Sequence, residues 1–384
     1  MGRSRSVVFF LSYFLYFFTF WMVFAYLPIL FKSYNFTDQQ IGVAIGLNSL
    51  SSILLVLPFG VFSDYFSPKR TLSLGAMCYS GYFLLLIFLT DFYRLCFALI
   101  LGGVGASAIR VILMSLYLKL TDDTGRGKKV AFLHLGGYLG FGLGPLVGGY
   151  VYETFGAGLV IKGALLLSWA IVLLTLFVQD PPPVVFSFKD YKKDVKEPDA
   201  LFLMAVVFVL GTHFGTEQTS ISLLMKDVIG LNKEEIGIVF FCLGAWMALL
   251  VPFAGILMDK KHRVFLLLLL GLLISSCFQV VTAFTNTFFS LLVVRMIHTL
   301  GDTLAILESD VLTGHFFPAA RLGGNSGVIF CVRTSAIFIF AAFSGWLNNL
   351  WGYKMPFIIN GIMVFAFSLT ALLYRRSAVQ LRVK

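Results

Sequence analysis

The chain is a succession of apolar runs, each long enough to cross a bilayer, and it repeats that device twelve times. A spanning helix needs about 20 predominantly apolar residues. Runs of that kind fall at about 7–31, 41–62, 71–90, 95–118, 130–152, 158–178, 200–224, 236–258, 264–284, 288–310, 323–346 and 355–374. In hydrocarbon an unpaired backbone N–H or C=O has no water to turn to, so such segments fold as helices that satisfy themselves. The fold class follows: an all-α membrane protein of twelve transmembrane helices.

Composition closes the other routes. Hydrophobic residues make up 59% of the chain and charged residues 12%, against roughly 25% charged in soluble domains. The first apolar run is too long for a signal-peptide core and lacks a small-residue cleavage site, so it reads as the first span. Cys78, Cys96, Cys242, Cys277 and Cys331 all lie in or beside spans, with no CxxC pair. They read as packing residues, and neither a disulfide framework nor a metal site is expected.

The formal net charge of +10 does not mark a nucleic-acid surface, because the basic residues alternate in density from one connection to the next. Twenty Lys and Arg fall in the termini and every second connection, six in the opposite set, and Arg110, Arg295 and Arg333 inside spans. By the positive-inside rule both termini are cytoplasmic. Short connections and economy of sequence suggest a prokaryotic inner membrane. The longest connection, QDPPPVVFSFKDYKKDVKEPD at 179–199, ends the sixth span with three prolines and continues as a polar linker. The expected division is a six-helix bundle at 1–180, a cytoplasmic linker at 181–199 and a second bundle at 200–384.

The halves repeat one another. FTDQQIG (Phe36 to Gly42) precedes the second span and LNKEEIG (Leu231 to Gly237) the eighth. PFGVFSD (Pro58 to Asp64) and PFAGILMD (Pro252 to Asp259) end those same spans. A common offset at both ends of a span points to parallel repeats, an arrangement common among secondary transporters.

The segment from Gly60 through Asp64 to Lys69 and Arg70 resembles the loop signature of the major facilitator superfamily, with Asp259 in its shortened pseudo-repeat. It departs at Tyr65, where a basic residue is usual, and at Ser67, where glycine is usual. The resemblance implies two pseudo-symmetric six-helix bundles, alternating access, a monomer and no cofactor. It also implies that Gly60, Asp64, Lys69, Arg70 and Asp259 form a gate whose carboxylates meet a helix N-terminus or a basic residue of the other half in one access state.

The fifth span contains GYLGFGLGPLVGGY, and its Gly140, Gly144, Pro145, Gly148 and Gly149 look like the antiporter motif of drug–proton exchangers in that superfamily. Glycines four apart let another backbone approach, and Pro145 removes a helix hydrogen bond. Close packing of the two halves on that face, and export, are the expectations. The same exchangers usually carry an Arg early in the fourth span; here Arg110 lies deeper, and an Arg followed by Gly appears instead as Arg295 and Gly301.

An ionisable residue at bilayer depth costs about 2.5–3.5 kcal/mol on insertion scales and marks a functional site by default. His213 and Glu217 share a face of the seventh span, and His298 and Asp302 a face of the tenth. Glu217 and Asp302 are proton-coupling candidates tuned by the two histidines. Arg295 and Arg333, expected beside them, are counter-charges or anion ligands. Arg110, Asn48, Tyr138 and His134 are the polar candidates of the first half, with an aromatic wall of Tyr13, Tyr16, Trp21 and Tyr26. Glu308, Asp310 and His315 read as gate or cap residues.

The sequence therefore reads as a proton-driven exporter of a small organic solute. The alternative is a proton symporter importing a sugar, nucleoside or organic anion. An enzyme is not expected: His298 and Asp302 have the wrong spacing for an acyltransferase, and no GxxxxGK[ST] loop is present.

Overall fold

A computed structural model describes residues 3–65, 67–120, 125–180, 188–258 and 264–382. The first span is α1 (Arg3–Phe24) continued by α2 (Leu27–Ser33). There follow α3 (Asp38–Tyr65), α4 (Pro68–Phe88), α5 (Phe92–Leu120), α6 (Arg126–Phe155) and α7 (Ala157–Thr175). A connecting helix, α8 (Phe188–Lys196), leads to α9 (Pro198–Leu223), which ends in a π-helical turn at Leu224–Val228. The remainder is α10 (Lys233–Met258), α11 (Val264–Thr282), α12 (Phe288–Phe316), α13 (Leu322–Trp351) and α14 (Met355–Arg382). Among the described residues eleven stretches are long and apolar enough to span a membrane. The 28-residue α3 supplies the twelfth.

The helices stop and start where local chemistry dictates. Ser67 caps α4 by accepting from the Arg70 backbone, with Pro68 in the first turn, where its missing N–H costs nothing. Thr287 and Ser290 form a reciprocal capping box on α12. Gly156 and Gly352 end α6 and α13 at φ +86° and +76°, conformations open to glycine at little cost.

The repeat seen in the sequence is a repeat of packing. In the first six spans α1 packs on α6 and α7, α5 on α3 and α4, and α4 on α7. In the last six α9 packs on α13 and α14, α12 on α10 and α11, and α11 on α14. The halves meet along two seams, α3 against α13 and α6 against α10. Both seams include close backbone contacts. A methyl group on Gly42 would meet the Ala341 carbonyl at 2.5 Å, and one on Gly244 would meet the Gly142 backbone at the same distance.

The connection read as a plain polar linker contains an anchored helix. Asp194 of α8 accepts from Arg321 at 2.8 and 2.9 Å and from Asn325 at 2.8 Å. Burial raises the Asp194 carboxyl, but these hydrogen bonds outweigh it and hold the group below the usual carboxylate range. The Tyr191 ring lies against Gly324. On the opposite face of the molecule Lys32 binds Asp38 and Tyr353, tying α2 to α3 and to the α13–α14 turn. Burial pushes the Tyr353 phenol up to about 12, so it donates to Asp38 at 3.1 Å.

Candidate functional site

Two charged clusters share α12. The first lies inside the last six spans, where α9, α11 and α12 converge. His298 is wholly buried, and its Nδ1 sits 2.8 Å from the Ser275 carbonyl, to which it donates. Its Nε2 faces Glu217 Oε1 at 3.0 Å, Asp302 Oδ2 at 3.1 Å and His213 Nε2 at 3.1 Å. His213 Nε2 in turn stands 3.4 Å from Asp302 and 3.6 Å from Glu217. Arg295 Nη1 reaches Glu217 at 2.5 Å and Gln279 at 3.4 Å, while Ser275 Oγ donates to Asp302 at 2.7 Å.

The pairs with i,i+4 spacing are the ones legible in the sequence. Ser275 and Gln279 were missed. They stand four apart on one face of the otherwise apolar α11, and that polar interruption was their signal. Glu217 and Arg295 also line a cavity of about 40 Å³ with Trp21 and Phe141, so the cluster opens onto the space between the halves.

The donor atoms of His213, Glu217, His298 and Asp302 lie within 4.8 Å of one another, near enough to share a divalent cation. Arg295 already occupies Glu217 with a fixed positive charge, which disfavours a divalent cation there.

The second cluster lies about 12 Å along α12 from Asp302, at Asp310. Arg333, expected with the histidines, does not join them. Its guanidinium instead reaches Asp310 at 3.4 Å. Helix phase explains the change: α13 packs against α3 of the other half and carries Arg333 to the seam. His134 of α6 meets Asp310 at 2.9 Å from the other half. Asp310, read as a gate or cap residue, bridges the halves. Glu308 is fully buried, and neither carboxyl oxygen has a hydrogen-bond partner among the described residues.

Arg110 of α5 lies over the Phe17 ring at 5.5 Å and the Phe330 ring at 4.9 Å. A second cavity of about 40 Å³ is lined by Tyr13, Arg110, Asp310, Ser326, Phe330 and Arg333 among others. Tyr138 is buried beside His134, and its hydroxyl has no hydrogen-bond partner among the described residues. Asn48 is not at either cavity; it donates to the Leu99 carbonyl at 3.1 Å and ties α3 to α5. Of the aromatic wall, Tyr13 and Trp21 line cavities. Tyr16 packs on Tyr79.

A model of the Major Facilitator Superfamily matches residues 9–223 and again 201–384. The chain belongs to the major facilitator superfamily. An uncharacterized transporter of this type from Methanocaldococcus jannaschii is 22% identical over 340 residues, covering 85% of this chain and 86% of that one. The quinolone resistance protein NorA of Staphylococcus aureus is 23% identical over 315 residues, 78% and 79% of the two chains. The crystal structure of the human organic anion transporter MFSD10 superposes with a TM-score of 0.78 at 15% identity, covering 96% of this chain and 99% of that one. That likeness is one of fold.

The superfamily's loop and helix motifs take definite places. Gly60 and Asp64 fall in the last turns of α3, and Asp259 lies outside the described residues. Lys69 binds within its own half, its amine donating to the Leu176 carbonyl at 2.6 Å and its backbone to Asp180 at 2.8 Å. The Arg70 backbone donates to the Ser67 cap.

In α6 the expected face divides. Gly140, Gly144 and Gly148, four apart, pack on the α1 backbone of the same half and not across the seam. Gly149 lies against Lys233 of α10. The Pro145 carbonyl accepts from the Tyr26 hydroxyl at 2.7 Å. Gly142, outside the motif, makes the central contact with α10.

Proposed function

We propose that this chain is a proton-coupled secondary transporter of a small organic solute, working by alternating access and running as an exporter. The observation that carries the reading is the setting of His298. With Nδ1–H committed to the Ser275 carbonyl, a neutral ring would turn a lone pair toward two carboxylate oxygens and a second imidazole nitrogen. That arrangement is repulsive until a proton sits on Nε2 or on one of its neighbours. The cluster needs a proton that four groups share, and Glu217 opens it to the space between the halves.

In this reading the units that rock are 1–180 and 200–384, joined through 181–199, with both termini cytoplasmic. Loading and release of the proton change the balance of charge on α12. The same helix carries Asp310, which holds His134 of the other half, so the proton site and the seam are mechanically one body. The names of NorA and MFSD10 support a small organic cargo, and the α6 glycine pattern supports export.

The test uses proteoliposomes holding the purified protein and a pH-sensitive dye, with a chelator present throughout. A proton gradient is imposed and solutes are added in pools. Solute-triggered proton flux in wild type, lost in Asp302→Asn and Glu217→Gln, is the expected result, and its sign separates exchange from co-transport. Flux of full size in both variants would sink the assignment of the cluster.

A further inference from the structure

We infer that the cavity between Arg110, Arg333 and Asp310 is the solute site, and that it selects a monoanion, a carboxylate on an apolar or aromatic body. The inference rests on the transporter reading and names its cargo.

The charges facing this cavity come from every element around it: Arg110 of α5, Arg333 of α13 and Asp310 of α12, with His134 of α6 on the far side of the aspartate. Two guanidiniums are always charged. Asp310 is the one carboxylate among the described lining residues, so the site is one positive charge in excess whenever His134 is neutral. Arg110 lies over aromatic faces, meets the Tyr16 hydroxyl and feels Asp310 through space, with no carboxylate in salt-bridge contact among the described residues.

The unused hydrogen-bonding capacity has the same sign. Arg333 is 5% exposed, and its Nε–H, together with the Ser326 hydroxyl, has no hydrogen-bond partner among the described residues. These are donors waiting for an acceptor, and leaving such groups buried and unpaired costs about 1–3 kcal/mol each. A carboxylate supplies two acceptor oxygens in the plane that a guanidinium fork matches. One negative charge also brings the site to neutrality, whereas a dianion overshoots.

The walls define the rest of the solute. Phe17 and Phe330 already stack on the guanidiniums, and Tyr13, Met114 and Ile329 complete an apolar lining. At about 40 Å³ the cavity holds a head group and not a whole ligand, for which several hundred Å³ is usual. The body of the solute enters as the halves part. Binding of the anion competes with Asp310 for Arg333, which frees the aspartate that holds His134 across the seam.

Equilibrium binding to the purified, detergent-solubilised full chain tests this without any gradient. The probes are a set of small aromatic carboxylates headed by fluorescent 2-aminobenzoate, each paired with its neutral amide. Carboxylates are expected to saturate at millimolar or lower concentration and raise the unfolding temperature, and the amides to do neither. Arg333→Gln and Arg110→Gln should each weaken carboxylate binding by about tenfold or more, with Arg110→Lys intermediate. Asp310→Asn should strengthen it. Amides that bind as well as carboxylates, a set of carboxylates that all fail to bind, or full affinity in Arg110→Gln would each overturn the inference. Proton flux triggered by a neutral solute would also overturn it while leaving the transporter reading intact. Carboxylate binding without proton flux would do the reverse.

Discussion

The two clusters on α12 are built from the same residue types and solve opposite problems. Around His298 the charged groups face one another: Arg295 meets Glu217, and both carboxylates lie within 3.1 Å of His298, while His213 Nδ1, Arg295 Nε and Gln279 Nε2 have no hydrogen-bond partner among the described residues. Around Arg333 a single carboxylate, Asp310, stands among the described lining residues against two guanidiniums. In the proposed reading the first set, two carboxylates beside one arginine, takes up a proton, and the second, two arginines beside one carboxylate, takes up an anion. The clusters differ in the sign of their charge balance and not in their burial.

The sharpest way to break this comparison is to delete one arginine from each cluster. Arg295→Gln leaves Glu217 with only the two histidines beside it and should cost about 3–5 kcal/mol of stability, the usual penalty for breaking a buried ion pair. Arg110→Gln removes ring contacts but relieves repulsion with Arg333, and should cost about 1 kcal/mol or less. Thermal unfolding in detergent compares the two, and equal losses would mean that the second cluster is also a structural ion network.

A serine pair asks the same question with smaller groups. Ser275→Ala removes a hydrogen bond to a buried carboxylate and should cost about 1.5–3 kcal/mol. Ser326→Ala removes a hydroxyl with no partner and should leave stability within about 0.5 kcal/mol of wild type. Denaturant titration resolves that difference.

The smallest effect is expected at Asp194, a partly exposed pair outside the membrane that serves as the control. Its carboxyl is held below the usual range by Arg321 and Asn325 against the pull of burial. The stabilisation is thus complete above the unfolded carboxyl's value, near pH 4, and is lost as pH falls through the lowered folded value. It should amount to about 1 kcal/mol at most. Hydrogen exchange of α8 should quicken in that acid window in wild type, and Asp194→Asn should already exchange fast at neutral pH. An acid response that survives in Asp194→Asn would assign the effect elsewhere.

Much of this was legible before any coordinates. The spans follow from hydropathy because lipid leaves a backbone few options. The couples His213–Glu217 and His298–Asp302 follow from i,i+4 spacing, since both members ride one helix. What was hidden is whatever needed two helices to be placed in phase. His134 and Asp310 are 176 residues apart, and no period in the sequence joins them. Arg333 was assigned to the wrong cluster for the same reason: its depth was readable and its direction was not. The α6 glycines showed that a backbone would come close, and only packing showed that the backbone belongs to α1.

The seams between the halves carry one more consequence. Where α3 meets α13 and α6 meets α10, glycine faces glycine: Gly42 lies on Gly345 and Gly142 on Gly244. Interlocked side chains work like gear teeth and must disengage before one surface moves over another. Two smooth backbones have little to disengage. If the halves rock as proposed, these glycine contacts resist sliding less than interlocked side chains would, and the charged groups beside the seam carry more of the resistance.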